Sequence, residues 1–265
     1  MAAEKAVDPR WIVPDWPAPA RVRAICSTRV GGVSQAPYDS LNLGDHVGDA
    51  PEAVTANRQL FARALQARPV FLSQVHGCDP VQLTADTPDG TQADGCIAAA
   101  PGIACTIMVA DCLPVLLATE DGAMVAAAHA GWRGLAGSKA GKGILESVHA
   151  AMNTGARILA WLGPCIGPSA FEVGAEVKAA FEAAQPEAAR LFVPSGAGKF
   201  LADLPGLARL RLQALGITDI HGNDGSDGWC TVLNPSRFFS HRRDAGPTGN
   251  GFGTTGRMAA CIWRA

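Results

Sequence analysis

The sequence lacks the features that mark several large classes of protein. Charged residues make up 17% of its 265 residues and the formal net charge is −2, so neither a basic nucleic-acid surface nor an acidic tail is indicated. The longest apolar stretch, near 103–119, is interrupted by Asp111 and Pro114, which excludes a membrane span. The N-terminal MAAEKAVDPRW has no apolar core of a secretory signal. We therefore expect a cytoplasmic protein that binds neither nucleic acid nor membrane.

Cysteine and histidine are present, but their usual close spacings are missing. None of the eight cysteines forms a CxxC pair, which predicts free thiols in a reducing cytosol. The six histidines include no HxH pair, whereas multicopper oxidases need many histidines, commonly in such pairs. The sequence therefore excludes multicopper chemistry and leaves a single-copper site open. No HxE motif is present either, so the glutamate that shuttles protons in zinc deaminases is not identified.

The chain is long enough to bury a large core, and 48% of its residues are hydrophobic. Hydrophobic periodicity predicts a strand at 22–27, helices at 52–67, 135–152, 175–184 and 204–215, and a last strand at 257–263. Short apolar runs with Gly-rich turns predict further buried strands between them. No linker or repeat is apparent. We predict an N-terminal extension at 1–20 and one layered α/β or α+β catalytic domain at 21–265, with mixed sheets flanked by helices.

Three residues follow short apolar runs: His76 in SQVHG, Cys112 in VADCLP and His129 in AHAGWRG. If neighbouring strands align, their ends meet at one edge of a sheet, where open sheets bind ligands. A thiolate and two imidazoles suit a tetrahedral zinc site with one open position. The same residues also suit a cysteine nucleophile with a histidine base. In a third interpretation the two histidines are structural and cap their strands.

Polar side chains in the predicted loops are the candidates for binding substrate, because a fork of guanidinium donors suits an oxyanion. They are Arg29, Asn42, Arg133 and Arg243. Arg242 in FSHRRD and Arg257 in TGRMA are further candidates for contacting an anion. Asp111 is the carboxylate nearest to Cys112 in sequence, but in a regular strand the two side chains would point to opposite faces.

The order of the motifs makes the chain recognisable from about residue 27 to residue 260. They are STRVGGVS, YDSLNLGDHVGD, SQVHG, ADG, ADCLPVLL, HAGWRG, GPCIGPSAFEVG, FFSHRRD and TGRMA. This ordered set closely resembles the laccase-domain family, also called polyphenol oxidase-like proteins and, in bacteria, peptidoglycan editing factor. One departure is GPTGNGFGTTGR at 246–257, which is longer than the usual turn before TGR.

The resemblance implies an α/β fold of layered sheets and helices, similar to the cysteine-hydrolase fold of a bacterial deamidating toxin. It also implies a zinc site formed by His76, Cys112 and His129, which are then the catalytic residues as well. The activities implied are phosphorolysis of adenosine, inosine and methylthioadenosine, and deamination of adenosine, with purine nucleoside and phosphate as partners. Two alternatives stay open: a Cys112/His129 hydrolase that cleaves an amide in a cell-wall precursor, and a polyphenol oxidoreductase with one copper.

Overall fold

The computed structural model describes residues 7–137, 142–245 and 253–265. Within these ranges the chain forms thirteen strands and six α-helices. The strands are β1 Val22–Cys26, β2 Arg68–Phe71, β3 Pro80–Gln82, β4 Gly95–Ala98, β5 Ile103–Val109, β6 Leu113–Thr119, β7 Val125–Ala130, β8 Ile158–Leu162, β9 Glu172–Val173, β10 Phe192–Gly196, β11 Lys199–Ala202, β12 Asp219–Gly222 and β13 Met258–Arg264. The helices are α1 Pro51–Leu65, α2 Trp132–Ala136, α3 Ile144–Met152, α4 Ala175–Ala184, α5 Leu204–Ala214 and α6 His241–Asp244. None of these helices has the length and apolar character needed to span a bilayer.

Two mixed sheets form the centre of the molecule. One has the strand order β1-β13-β5-β2 and the other β12-β8-β6-β7-β4-β3. Every residue of β5, β6 and β7 is buried. Strands that are apolar along their whole length need cover on both faces. The other sheet covers the inner face of each sheet, and helices cover the outer face. The predicted α/β layered fold, with mixed sheets flanked by helices, is therefore confirmed.

Three apolar clusters show how the layers stack. Alternate residues of β6 belong to different clusters: Leu116 packs between the two sheets, whereas Val115 and Leu117 face α3 and α5. The outer face of the four-stranded sheet packs against α1 through Phe61 and Leu65. This alternation follows from the two-residue period of a strand. The layers therefore run helix, sheet, sheet, helices.

The N-terminal residues described, from 7 to 20, lie against the body of the molecule. Trp11 is buried against Phe61, with ring centroids 5.3 Å apart, and Ile12 pairs with Cys26 at the end of β1. The predicted division into an extension at 1–20 and a catalytic domain at 21–265 stays a prediction. A third, three-stranded sheet of order β10-β11-β9 packs beside α4.

Two predicted elements differ from the structure. The helix predicted at 135–152 is divided into α2 and α3, and residues 138–141 lie outside the described ranges. Gly137 ends α2 with a φ of 77°, which favours glycine and stops a right-handed helix. The apolar run before His76, expected to continue as a strand up to this residue, is a strand only to Phe71, so His76 lies in the loop before β3. The unusual insertion before TGR falls largely on 246–252, outside the described residues.

Candidate metal centre and substrate cavity

The structure brings His76, Cys112 and His129 together, with one ligand atom from each within 4.8 Å of the others. The antiparallel pairing of β6 with β7 explains two of them. His129, next to the end of β7, lies opposite Pro114, so Cys112, which precedes β6, is beside it. The third comes from the loop after β2, where the His76 Nε2 lies 3.7 Å from the Cys112 Sγ. The two imidazole rings meet edge to face, with centroids 4.8 Å apart.

One buried carboxylate, that of Asp94, orders both histidines. Its Oδ1 lies 2.8 Å from the His129 Nδ1 and accepts a hydrogen bond from the backbone N–H of His76 at 2.9 Å. Its Oδ2 accepts from the backbone N–H groups of Val75 and Gly77 at 3.1 and 2.7 Å. His76 has a φ of 60°, a left-handed conformation that costs about 1–2 kcal/mol in most residues. The three N–H bonds to Asp94 hold the loop in that conformation.

The donor set and its spacing fit one metal ion. Zinc takes thiolate sulfur at ~2.3 Å and imidazole nitrogen at ~2.0–2.1 Å, so ligand atoms several ångströms apart can share it. Asp94 engages the Nδ1 of His129 and leaves the Nε2 for a metal, a carboxylate–histidine arrangement typical of zinc sites. Among the described residues, this is the one group of three such side chains placed to share an ion.

The charges of the three side chains depend on one another. Burial raises the pKa of the Cys112 thiol, but the charge of His129 and hydrogen bonds from both histidines outweigh it and lower this pKa from 9.0 to about 6. Burial lowers the pKa of His129, but the charge of Cys112 and the bond to Asp94 raise it from 6.5 to about 9. A thiolate next to an imidazolium is therefore the favoured state near neutral pH without metal, and a thiolate is the form that binds zinc.

The cluster opens into a cavity of about 390 Å³, within the range usual for small-molecule sites. Met108, Ile166 and Phe171 give it apolar walls. Three arginines also line it: Arg133, Arg242 and Arg257. In the part of the chain that the structure describes, none of these three has a carboxylate within 4.0 Å. The cavity therefore combines apolar surface with positive charge that is not neutralised by paired carboxylates.

Of the four predicted substrate contacts, Arg133 lines the cavity and the other three do not. Arg29 pairs with Asp39 at 3.3 Å and donates to the carbonyl of Pro235. The guanidinium of Arg243 is used by Asp244 and by the carbonyl groups of Thr231 and Phe238. These contacts give Arg29 and Arg243 a place in the loop framework around the cavity.

Asn42 is buried and contacts the cavity wall indirectly. Its Oδ1 accepts a hydrogen bond from the backbone N–H of Arg257 at 2.8 Å, and its Nδ2 donates to Asp49. Asn42 therefore fixes the backbone from which Arg257 reaches the cavity.

Asp111 does not point away from Cys112, because β5 ends at Val109 and the chain leaves the strand before it. With a φ of 91°, Asp111 turns its carboxylate into the same cavity. Its Oδ1 accepts from the Thr231 hydroxyl and its Oδ2 from the backbone N–H of Arg242, each at 2.6 Å. The expectation of opposite faces applied to a regular strand through residues 111 and 112, and the structure has no strand at these residues.

Sequence reasoning did not identify Asp94 as a site residue, although it lies in the ADG motif. The signal that reveals it is strand pairing: Gly95 of β4 lies opposite Ala128 of β7, which places Asp94 beside His129. His46 and His241 also line the cavity and were not predicted to do so. Neither residue follows a buried strand, so no pattern in the sequence marked them.

Comparisons with known proteins agree with this geometry over nearly the whole chain. The model of a family described as multi-copper polyphenol oxidoreductase laccase matches residues 23–265. A protein of Pseudomonas aeruginosa named purine nucleoside phosphorylase is 51% identical, over 96% of this chain and 98% of its own length. Purine nucleoside phosphorylase YfiH of Escherichia coli is 49% identical, over 95% of this chain and 98% of its own.

A crystal structure of a Neisseria meningitidis protein superposes with a TM-score of 0.87 at 45% identity, covering 96% of this chain and 99% of that one. The family model, these relatives and this shared fold all extend over the ordered motifs and the His76–Cys112–His129 cluster. The chain therefore belongs to the laccase-like family of YfiH and its relatives.

Proposed function

We propose that this protein is a zinc-dependent purine nucleoside phosphorylase that acts on adenosine, inosine and methylthioadenosine and also deaminates adenosine. One observation carries the proposal: a His–Cys–His cluster and arginines without paired carboxylates share one partly apolar cavity. A purine nucleoside needs apolar walls for its base, and phosphate needs cationic donors. The names of the relatives at 49–51% identity support the phosphorylase activity on purine nucleosides.

In phosphorolysis a phosphate oxygen attacks the anomeric carbon of the ribose, and the bond from that carbon to the purine nitrogen breaks. The base leaves with the electron pair and takes up a proton, and ribose 1-phosphate forms. His76, Cys112 and His129 would hold the zinc, with Asp94 keeping a proton on the His129 Nδ1. When bound, zinc supplies Lewis acidity that polarises an oxygen of substrate or water.

In this proposal the arginines attract phosphate and the apolar wall binds the purine. Arg133, at the cavity rim, contributes positive charge that attracts the anion. Met108, Ile166 and Phe171 bind the purine and exclude water, which competes with phosphate for the anomeric carbon. We also place the protein in the cytoplasm, because all eight cysteines are free thiols.

The test is metal and product analysis of protein purified without added metal. We expect about one metal ion per chain, since the cluster has places for one ion. The proposal predicts that this ion is zinc and that little copper is present. Incubation with adenosine and phosphate should give adenine and ribose 1-phosphate, with inosine and ammonia from deamination. Absence of all four products from metal-loaded protein would contradict the proposal.

A cysteine hydrolase acting on an amide is the second candidate, because His129 lowers the pKa of Cys112 directly. His76→Ala separates the two functions. A zinc enzyme should lose metal and activity, whereas a Cys112/His129 dyad should retain most of its activity. His149→Ala is the matched control, because His149 lies on α3 and does not line the cavity.

A further inference from the structure

We propose that Arg242 and Arg257 together form the phosphate subsite of the cavity. The assignment rests on the proposed phosphorolysis, which requires an oxyanion beside the nucleoside. From the sequence both arginines are further candidates for contacting an anion, apart from the four side chains predicted to bind substrate. Both line the cavity, and each is fixed by contacts that leave its guanidinium group without a paired carboxylate in the described part of the chain.

Arg257 is held firmly in the residues just before β13. Its backbone N–H donates to Asn42 and its Nη1 donates to the carbonyl oxygens of Thr255 and Gly256, at 3.0 and 3.2 Å. Its aliphatic stem fills the space above Gly44, where a Cβ would lie 2.7 Å from the Arg257 Cγ. Such anchoring reduces the entropy lost when an anion binds.

The charge of Arg257 is not neutralised by a direct ion pair. Its hydrogen bonds within the described residues use Nη1, which leaves Nε and Nη2 to donate to a ligand. Burial lowers the pKa of this guanidinium, and the negative charges of Cys112 and Asp111 oppose that effect. An arginine in such surroundings stays charged, so a partly buried cation lines the cavity next to the metal cluster.

Arg242 is fixed from the other side by α6 and the β9 segment. Its backbone N–H donates to Asp111, and its Nη1 donates to the carbonyl of Glu172 at 3.1 Å. Its guanidinium lies 5.8 Å from the centroid of the Phe171 ring. Asp111 thus acts on both arginines, and its two oxygens already accept from Thr231 and Arg242.

Arg133 fits the role less well. Arg133 and Arg242 are both exposed, but the Arg133 guanidinium stacks 4.6 Å from the Trp132 ring centroid and has no hydrogen bond to the described residues that would fix it. It suits the attraction of an anion to the cavity better than the orientation of one. Two anchored forks, in contrast, can hold a tetrahedral dianion in one orientation.

The experiment titrates inorganic phosphate into zinc-loaded protein by calorimetry, without nucleoside, and then measures the KM of each substrate. Arg242→Met and Arg257→Met keep the aliphatic stems and remove the charge. Loss of a charge-assisted contact should weaken phosphate binding by about 10-fold or more in each variant and raise the KM for phosphate equally. The KM for the nucleoside should change by less than about 3-fold, because neither arginine is assigned a contact with the nucleoside.

Arg63→Met is the matched control, because Arg63 is exposed on α1 and does not line the cavity. Zinc content is measured in each variant. Arg242→Lys and Arg257→Lys retain the charge but lack the guanidinium fork, so they test the assignment if a Met variant does not fold. We expect them to raise the KM for phosphate less than the Met variants do. Phosphate held by zinc alone would give all four variants wild-type affinity and would overturn the assignment.

The outcomes separate this subsite from the proposed function. Phosphorolysis with an unchanged KM for phosphate in both Met variants would retain the function and overturn the subsite. Phosphate binding that depends on both arginines, in a protein that forms no ribose 1-phosphate, would retain the subsite and overturn the phosphorylase function. A protein that neither binds phosphate nor forms ribose 1-phosphate would overturn both.

Discussion

At the scale of single residues, Asp94 determines the geometry of the cluster more than any of the three candidate ligands. It accepts from the backbone on either side of His76 and bonds the ring of His129, so one carboxylate sets the position of two imidazoles. Hydrogen bonds to the charged carboxylate also lower its pKa despite the opposing effect of burial. Metal affinity should therefore depend on a residue that does not touch the metal.

Asp94→Asn tests this dependence. The substitution keeps the shape of the side chain but removes the charge that orients His129, and loss of such a partner typically weakens metal binding by about 10–100-fold. Competition with a chelating dye measures the zinc affinity. Asp79→Asn makes the same change of charge at an exposed position nearby and should leave the affinity unchanged. Equal affinities in both variants would refute the role given to Asp94.

The pKa of Cys112 makes a second prediction at this scale. An acid whose pKa falls from 9.0 to about 6 is a thiolate above pH 6, so alkylation of metal-free protein should rise through about pH 6 and stay high to pH 9. Mass spectrometry of the labelled peptide measures the midpoint. His129→Ala should move it upward, because burial then acts against less positive charge. Cys26, whose pKa burial raises to about 12, provides the unreactive internal control.

A midpoint near pH 9 in both the unaltered protein and His129→Ala would show that the imidazole does not activate the thiol. Bound zinc should protect Cys112 from alkylation at every pH where the metal stays bound.

Some of these site residues could be predicted from the sequence and others could not. His76, Cys112 and His129 could be predicted because each stands in a distinctive turn next to an apolar run. Asp94 could not, because its importance arises from the pairing of β4 with β7, which brings distant segments together. Arg242 and Arg257 were candidates for contacting an anion, like several other loop arginines, and only the structure separates those with carboxylate partners from those without.

At the scale of elements, the turn from β7 into α2 controls how closely the ligands approach. A Cβ on Gly131 would lie 3.0 Å from both the Cys112 Sγ and the His76 Cδ2. Real side chains rarely come so near, so the cluster is compact only because this position has no side chain.

Gly131→Ala should push Cys112 and His76 apart and weaken zinc binding, on the order of 10-fold, as other changes beside a metal site do. Its φ is −66°, so the backbone itself tolerates alanine and the effect should be confined to the site. Gly155→Ala is the control, because nothing lies within 4 Å of its added Cβ. Zinc titration of the two variants decides the matter, and identical affinities would contradict the steric argument.

Helices were predictable where their apolar period was regular. The expectations at 175–184 and 204–215 match α4 and α5, and that at 52–67 matches α1 to within two residues. The helix at 135–152 could not be predicted correctly, because glycines interrupt its early turns and Gly137 adopts a left-handed φ. Apolar runs likewise indicated β5, β6 and β7 but not their order, which depends on contacts between strands far apart in the chain.

At the scale of the whole molecule, stability depends on strands that are buried on both faces. Leu116, at the middle of β6, is fully buried between the two sheets and pairs in register with Trp161 and Ala127. The site lies at one end of this double layer, with His129 in the six-stranded sheet and Arg257 just before β13 of the other sheet.

Leu116→Ala should lower the free energy of unfolding by about 2–5 kcal/mol, because it leaves a cavity between layers that cannot collapse freely. Denaturant unfolding of the zinc-loaded protein measures it. Val193→Ala, at a position 61% exposed, should change stability by less than about 0.5 kcal/mol. A loss at Leu116 no larger than at Val193 would mean that the inter-sheet layer contributes little.

The turn of residues 110–112 connects β5 in one sheet to β6 in the other, and Cys112 lies in it. His76 belongs to a loop and His129 to a strand, so no single segment carries two ligands. A partly folded chain has the same donors but not their convergence, so binding of the proposed zinc ion would require both sheets to be assembled. The metal ion would then bind only the chain in which both sheets have formed. Its binding free energy would therefore stabilise that folded state and no partly folded one.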